Sequence, residues 1–317
     1  MSLMLAEGPT TTTGRDDVRI RVDDGVELAV NDSGPHDAAH TVVLLHGLCL
    51  NRMAWARQIR YLTTRYGDAV RVISYDHRGH GRSEQAPMRT YRLDRLAQDL
   101  AQVLAALEVT GDVTLVGHSM GGMTALTYLG LADRPVTPRG LVLVATAAGH
   151  LAAHGLGRLL ATPATAALFG LVEHSPDVAL RALTAPLCAG LGRWRRGTQS
   201  AAMAAVAVAA LTTTAIPTVV GFLPDLRIYD QSAVLPSVAA RTVIVSGTAD
   251  PLTPPAHAQG MVAVIPGAVH LSVPGAGHML PAEAPHAVNE AIRRAMRMTS
   301  AMRMTSADGM SRAGAAS

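Results

Sequence analysis

Residues 113–123, VTLVGHSMGGM, place a serine among glycines: Gly117 two positions before Ser119 and Gly121 two positions after it. Strand-forming residues lead in, and a helical pattern follows. A strand-to-helix turn that lifts a serine above a sheet strains its backbone. Side chains two positions to either side would strike neighbouring elements, so glycine is required there. The gain is an exposed hydroxyl at a helix start, where free backbone N–H groups can face a developing oxyanion. An ordinary Gly-Ser turn is the competing reading. The apolar strand before and the helix after favour the nucleophile elbow.

A serine hydroxyl is inert until a base removes its proton, and that base must be held by an acid. Ser119 therefore predicts an acid and then a histidine downstream, each just past a strand. TVIVSGTADPLTPP supplies Asp250, and LSVPGAGHMLPAEAP supplies His278. Alone, Asp250 before Pro251 could only start a turn or cap a helix, and His278 is one of 13 histidines. Together with Ser119 they give the order Ser, Asp, His. The other place for an acid, after LVLVATAAG, holds no carboxylate. The candidate catalytic residues are thus Ser119 as nucleophile, His278 as base and Asp250 as its orienting acid. Position alone assigns the oxyanion donors, the backbone N–H groups of Met120 and of Leu48 in the loop after VVLLHG. Acyl transfer of this kind needs no metal and no organic cofactor. Cys49 and Cys188 form neither a ligand set nor a disulfide framework. Cys49 reads as a small buried thiol, and His46 as a packing residue.

Positioning these groups requires a sheet. Residues 17–31 read as a hairpin around DDG, and TVVLLHG, AVRVISYDHRG, DVTLVGHS, RGLVLVATAAG, TVIVSGTAD and VHLSVPGAGH as further strands. Leu93, Leu96, Leu100, Val103, Leu104 and Leu107 recur at helical spacing. A helix follows Met120 to about Ala132, and a last one carries Val288, Ile292 and Met296. Apolar strands alternating with helices predict an α/β fold, a mostly parallel sheet with helices on both faces. In such sheets functional residues gather at the carboxyl ends of the strands, where the serine, aspartate and histidine fall.

Residues 147–237 interrupt the alternation with Ala-, Leu- and Gly-rich helical sequence and read as an inserted cap. The core is then 1–146 and 238–297. AMRMTS at 295–300 is repeated at once at 301–306, and the tail 298–317 reads as disordered. Residues 197–224 carry no charge and could span a bilayer. They are built of Ala and Thr around Pro217, which insert poorly. One span here would also part Ser119 from Asp250 and His278, so no transmembrane segment is expected. An apolar cap suits an apolar acyl or alcohol group on a small-molecule substrate, or it merely buries itself.

Among 317 residues, 49% are hydrophobic and 3% aromatic, and every one of the 27 cations is arginine. Apart from GRWRRG at 192–197 the arginines are scattered, which excludes a nucleic-acid groove. The first residues lack a basic, apolar leader, so a cytoplasmic location is expected. Oligomeric state leaves no trace in the sequence.

The pieces LLHG, YDHRGHGRS, GHSMGG, SGTADPLTPP and GAGHMLPAEAP resemble the α/β-hydrolase superfamily across residues 18–296. The resemblance implies that fold, a Ser-Asp-His triad and a structural role for the DHRGHGRS loop. Dehalogenases and epoxide hydrolases of the superfamily carry aspartate at the elbow, whereas this chain has serine. Many cofactor-free haloperoxidases, or perhydrolases, carry proline where Cys49 stands, and C–C bond hydrolases often have asparagine where His118 stands. A carboxylic ester or thioester hydrolase is the leading expectation. Perhydrolysis, C–C bond cleavage with the same triad, and a non-catalytic ligand-binding protein stand as alternatives.

Overall fold

The computed structural model describes residues 16–151, 155, 158, 160, 162–173 and 214–296. Among the described residues, eight strands form one sheet: β1 (Asp16–Arg21), β2 (Glu27–Ser33), β3 (His40–Leu45), β4 (Val70–Tyr75), β5 (Asp112–His118), β6 (Gly140–Val144), β7 (Arg241–Gly247) and β8 (Val269–Val273). Their order is β1-β2-β4-β3-β5-β6-β7-β8. β1 with β2 and β2 with β4 are antiparallel; every other pair is parallel.

Alternation along each central strand divides the core in two. Val43, Leu45, Leu115, Leu141, Leu143 and Ile244 pack against α2 (Leu93–Ala106), α3 (Met120–Leu129) and α6 (Pro255–Val264). Val42, Leu44, Val116, Val142, Val144, Val243 and Val245 pack against α1 (Ala56–Tyr66) and α8 (Pro285–Ala295). Each fully buried aliphatic side chain stabilises the fold by roughly 1.5–3 kcal/mol, so both layers are firmly held to the sheet. The apolar runs predict strands covered on both faces, and this holds at the centre. It fails at the rim: β8 is an edge strand, and Val269 is exposed. The helix expected from Met120 to about Ala132 ends at Leu129, where the Arg134 guanidinium donates to the carbonyls of Leu129 and Leu131.

Two α-helices within 147–237 are described, α4 (Pro163–Glu173) and α5 (Ile216–Ile228), and they pack on each other through Val172, Phe169, Val220 and Leu223. α5 is fastened to the sheet domain. Its Asp225 carboxylate accepts the Leu93 N–H at 2.7 Å, capping α2. Phe222 and Leu226 join an apolar cluster with Tyr91, Leu96, Met120 and Met123. Residues 1–15, residues 174–213 of the expected cap, GRWRRG included, and the expected tail 298–317 lie outside the described residues. Among the described residues, no helix is long and apolar enough to cross a membrane.

Candidate active site

Ser119 ends β5 and begins α3 with φ 51° and ψ −118°, a left-handed conformation rarely occupied by non-glycine residues. The two glycines show why the turn can be so tight. A Cβ on Gly117 would press on the backbone of Gly121 and Gly122, and a Cβ on Gly121 would press on the carbonyl of Leu45. Ser119 is held by its own N–H, donating to the Val144 carbonyl at 2.9 Å, and by Thr146 Oγ1, donating to its carbonyl at 2.7 Å.

Asp250 lies in the turn after β7 and is buried. Its Oδ1 accepts the N–H groups of Leu252 (2.8 Å) and Thr253 (3.0 Å), and its Oδ2 accepts Thr253 Oγ1 at 2.7 Å. Burial pushes this carboxyl up, but the hydrogen bonds from His278 and Thr253 outweigh it and hold the group below the usual carboxylate value.

His278 follows β8 in a loop clamped through its backbone. Glu283, at the end of α7 (Leu280–Glu283), accepts the N–H groups of Gly277 (2.6 Å) and Met279 (3.1 Å). His118 Nε2 donates to the His278 carbonyl at 2.9 Å. His278 Nδ1 is 2.8 Å from Asp250 Oδ2, and Nε2 is 3.0 Å from Ser119 Oγ. An ionised carboxylate only accepts, so Nδ1 carries the proton and Nε2 presents a lone pair to the serine hydroxyl. Three residues far apart in the chain thus form one hydrogen-bonded line.

The loop after β3 closes the other side. Gly47 abuts the serine so closely that a Cβ there would lie 3.2 Å from Ser119 Cβ. Among the described residues, nothing accepts a hydrogen bond from the N–H of Leu48 or of Met120. The Met120 amide is unpaired, as the first N–H groups of a helix usually are, and Leu48 directly follows the Gly47 that abuts the serine. Buried histidines fix this loop. His46 Nδ1 donates to the Gly47 carbonyl (2.8 Å) while its Nε2 accepts the His77 N–H (2.9 Å). His80 Nδ1 donates to the Arg78 carbonyl (3.0 Å) while its Nε2 accepts the Cys49 N–H (3.3 Å). Burial pushes the Cys49 thiol up to about 12, so it is a protonated packing group and no nucleophile.

His118, Thr253, Glu283 and His80 are contacts that motif reading misses. Only Thr253 leaves a signal: a hydroxyl residue three positions after an aspartate is placed to turn back on that carboxylate.

The neutral histidines carry a cost in acid. Burial lowers His40 and His46 to about 4 and His80 and His118 to about 3, from 6.5. The unfolded chain takes up protons near 6.5 while the folded one does not. Their contribution is therefore complete above that pH and is lost as pH falls toward 4. Each group removes about 1.4 kcal/mol per pH unit, against a total stability of roughly 5–15 kcal/mol. The thermal unfolding midpoint, followed by circular dichroism, is expected to drop steeply between pH 6 and pH 4. A midpoint level across that range would contradict the neutral, buried state of these rings.

A mostly parallel sheet between helical layers, with a serine elbow after its central strand and a histidine after its last, is the architecture of the α/β hydrolases. A family model described as alpha/beta hydrolase fold matches residues 40–285, and the chain belongs to that family. Over 253 residues it is 32% identical to part of the polyketide synthase ThaQ of Burkholderia thailandensis, covering 75% of this chain and 11% of the synthase. Over 106 residues it is 37% identical to the bifunctional esterase/perhydrolase DCH of Acinetobacter calcoaceticus, covering 33% of this chain and 36% of that one. The chain therefore spans less than half the length of these curated relatives. Among solved structures it is similar to a thermophilic esterase from Thermogutta terrifontis. The TM-score is 0.64 at 27% identity, covering 88% of this chain and 97% of that one.

Proposed function

We propose that this chain is a serine hydrolase of carboxylic esters or thioesters that works through an acyl-enzyme. The observation that carries the reading is the unbroken line from Ser119 Oγ through His278 to Asp250, with steps of 3.0 and 2.8 Å. His278 Nε2 takes the hydroxyl proton as Oγ attacks the carbonyl carbon. The Leu48 and Met120 amides hold the tetrahedral oxyanion, and Asp250 stabilises the imidazolium. His278 then gives its proton to the departing alcohol or thiol. Water, deprotonated by the same nitrogen, releases the acid and frees Ser119.

Cys49 favours this reading over perhydrolysis. It occupies the position that proline takes in many cofactor-free haloperoxidases, and its φ is 64°. A proline ring, fixed near −65°, cannot adopt that conformation, so the loop beside the oxyanion is shaped differently. The apolar cluster that joins Leu48, Met120 and Met123 to Phe222 and Leu226 of α5 supports an apolar group on the substrate, with α5 as part of its apolar wall. Hydrolysis of p-nitrophenyl esters of increasing chain length is expected to give a kcat/KM rising from acetate to hexanoate by about tenfold, two or more buried methylenes being worth that. Peracid formation in hydrogen peroxide is expected to be minor. A steep preference for acetate would contradict the apolar wall, and peracid as main product would contradict the ester reading.

A further inference from the structure

We infer that Thr253 is a fourth, positioning member of the hydrogen-bonded line, its hydroxyl fixing which lone pair of Asp250 meets His278. This rests on the hydrolase reading above. The Asp250 carboxylate accepts four hydrogen bonds. The two at Oδ1 come from backbone N–H groups and depend on no side chain. The two at Oδ2 come from His278 Nδ1 at 2.8 Å and Thr253 Oγ1 at 2.7 Å. Thr253 Oγ1 also lies 3.4 Å from His278 Nδ1. The hydroxyl therefore sits in the wedge between carboxylate and imidazole. Its proton is committed to Oδ2, and its lone pair is turned toward the Nδ1–H.

Two consequences follow from that placement. Rotation of the carboxylate about its Cβ–Cγ bond would break the Thr253 hydrogen bond together with the backbone pair, so Oδ2 stays aimed at Nδ1. As His278 becomes cationic, the nearby hydroxyl oxygen adds a second acceptor to the one Asp250 provides. Both effects grow in the transition state, where the imidazolium forms, and neither touches substrate. Thr253 is itself fixed in place. It is buried, and the next residues are Pro254 and Pro255, with Pro254 at φ −53° and ψ 157° capping α6. Geometry of this quality around a buried charge is where a single hydroxyl matters most.

Thr253→Val keeps the shape and the backbone N–H and deletes only the hydroxyl. It is expected to lower kcat and kcat/KM for a p-nitrophenyl ester equally, by about tenfold, with KM unchanged. The rate is counted per serine titrated by a fluorophosphonate probe, so that loss of folded protein does not register. Thr253→Ser is expected to restore most of the loss, because it returns the hydroxyl without the methyl. Where the valine variant fails to fold, Thr253→Ala against Thr253→Ser makes the same comparison. An unchanged per-site kcat in the valine or alanine variant, or a serine variant as slow as either, overturns the positioning role. Ser119→Ala in the same assay separates the two claims. If it retains turnover the hydrolase reading fails; if it is dead while Thr253→Val is at full speed, only Thr253's role fails.

Discussion

Ser119→Ala is expected to lower kcat by about 10⁴- to 10⁶-fold while leaving the protein folded, because Ser119 Oγ is the hydroxyl that His278 Nε2 faces. The structure separates the two effects. Ser119 makes no side-chain cap on α3, and its anchoring bonds to Val144 and Thr146 run through its backbone. Its Oγ is bonded to His278 Nε2. Alanine therefore sacrifices about 0.5–1.5 kcal/mol of stability but the whole of the nucleophilic step. Ester turnover and far-ultraviolet circular dichroism on the same preparation check both halves. A folded alanine variant with more than a hundredth of the parent activity would remove Ser119 from the mechanism.

Asp250→Asn is expected to cost about 10⁴-fold in kcat with little change in shape. The reason is the direction of four hydrogen bonds. The Leu252 and Thr253 N–H groups need an acceptor at Oδ1, so the asparagine carbonyl must stay there. Its NH₂ then stands where Oδ2 accepted, facing the Nδ1–H of His278 donor to donor. The imidazole escapes by moving its proton to Nε2, and a protonated Nε2 cannot take the Ser119 proton. Steady-state kinetics on the purified variant would show the loss. A fall of less than tenfold would mean that Asp250 does not set the tautomer and that another group orients the base.

These three residues were legible because each answers a separate demand that leaves a local mark. Ser119 needs small neighbours, Asp250 and His278 each need a turn just past an apolar strand, and both demands are written in residue types. The central strands were legible for a similar reason. Runs such as VVLL at 42–45 supply both core layers at once, Val42 and Leu44 to one face and Val43 and Leu45 to the other. The exposed rim at β8 was not, because VHLSV is little different in composition from a buried strand, and edge position is a property of the whole sheet. The bonds that hold the site were hidden for a further reason. His118 reaches a carbonyl 160 positions away, and His80 fixes Cys49 from 31 positions away. Hydrogen bonds between distant loops impose no spacing on the chain. The helices α4 and α5 are almost apolar all round, so no polar face marks their ends, and their boundaries emerge only from packing.

The claim beneath all of this is that an ordinary alcohol on Ser119 is made reactive by His278. Labelling the intact protein with a fluorophosphonate and mapping the adduct by peptide mass spectrometry tests it most directly, with His278→Gln run in parallel. One adduct on the peptide carrying Ser119, formed at least a hundred times more slowly in the glutamine variant, is the result this account predicts. An adduct on another residue, or equal labelling of Ser119 in both proteins, would contradict it.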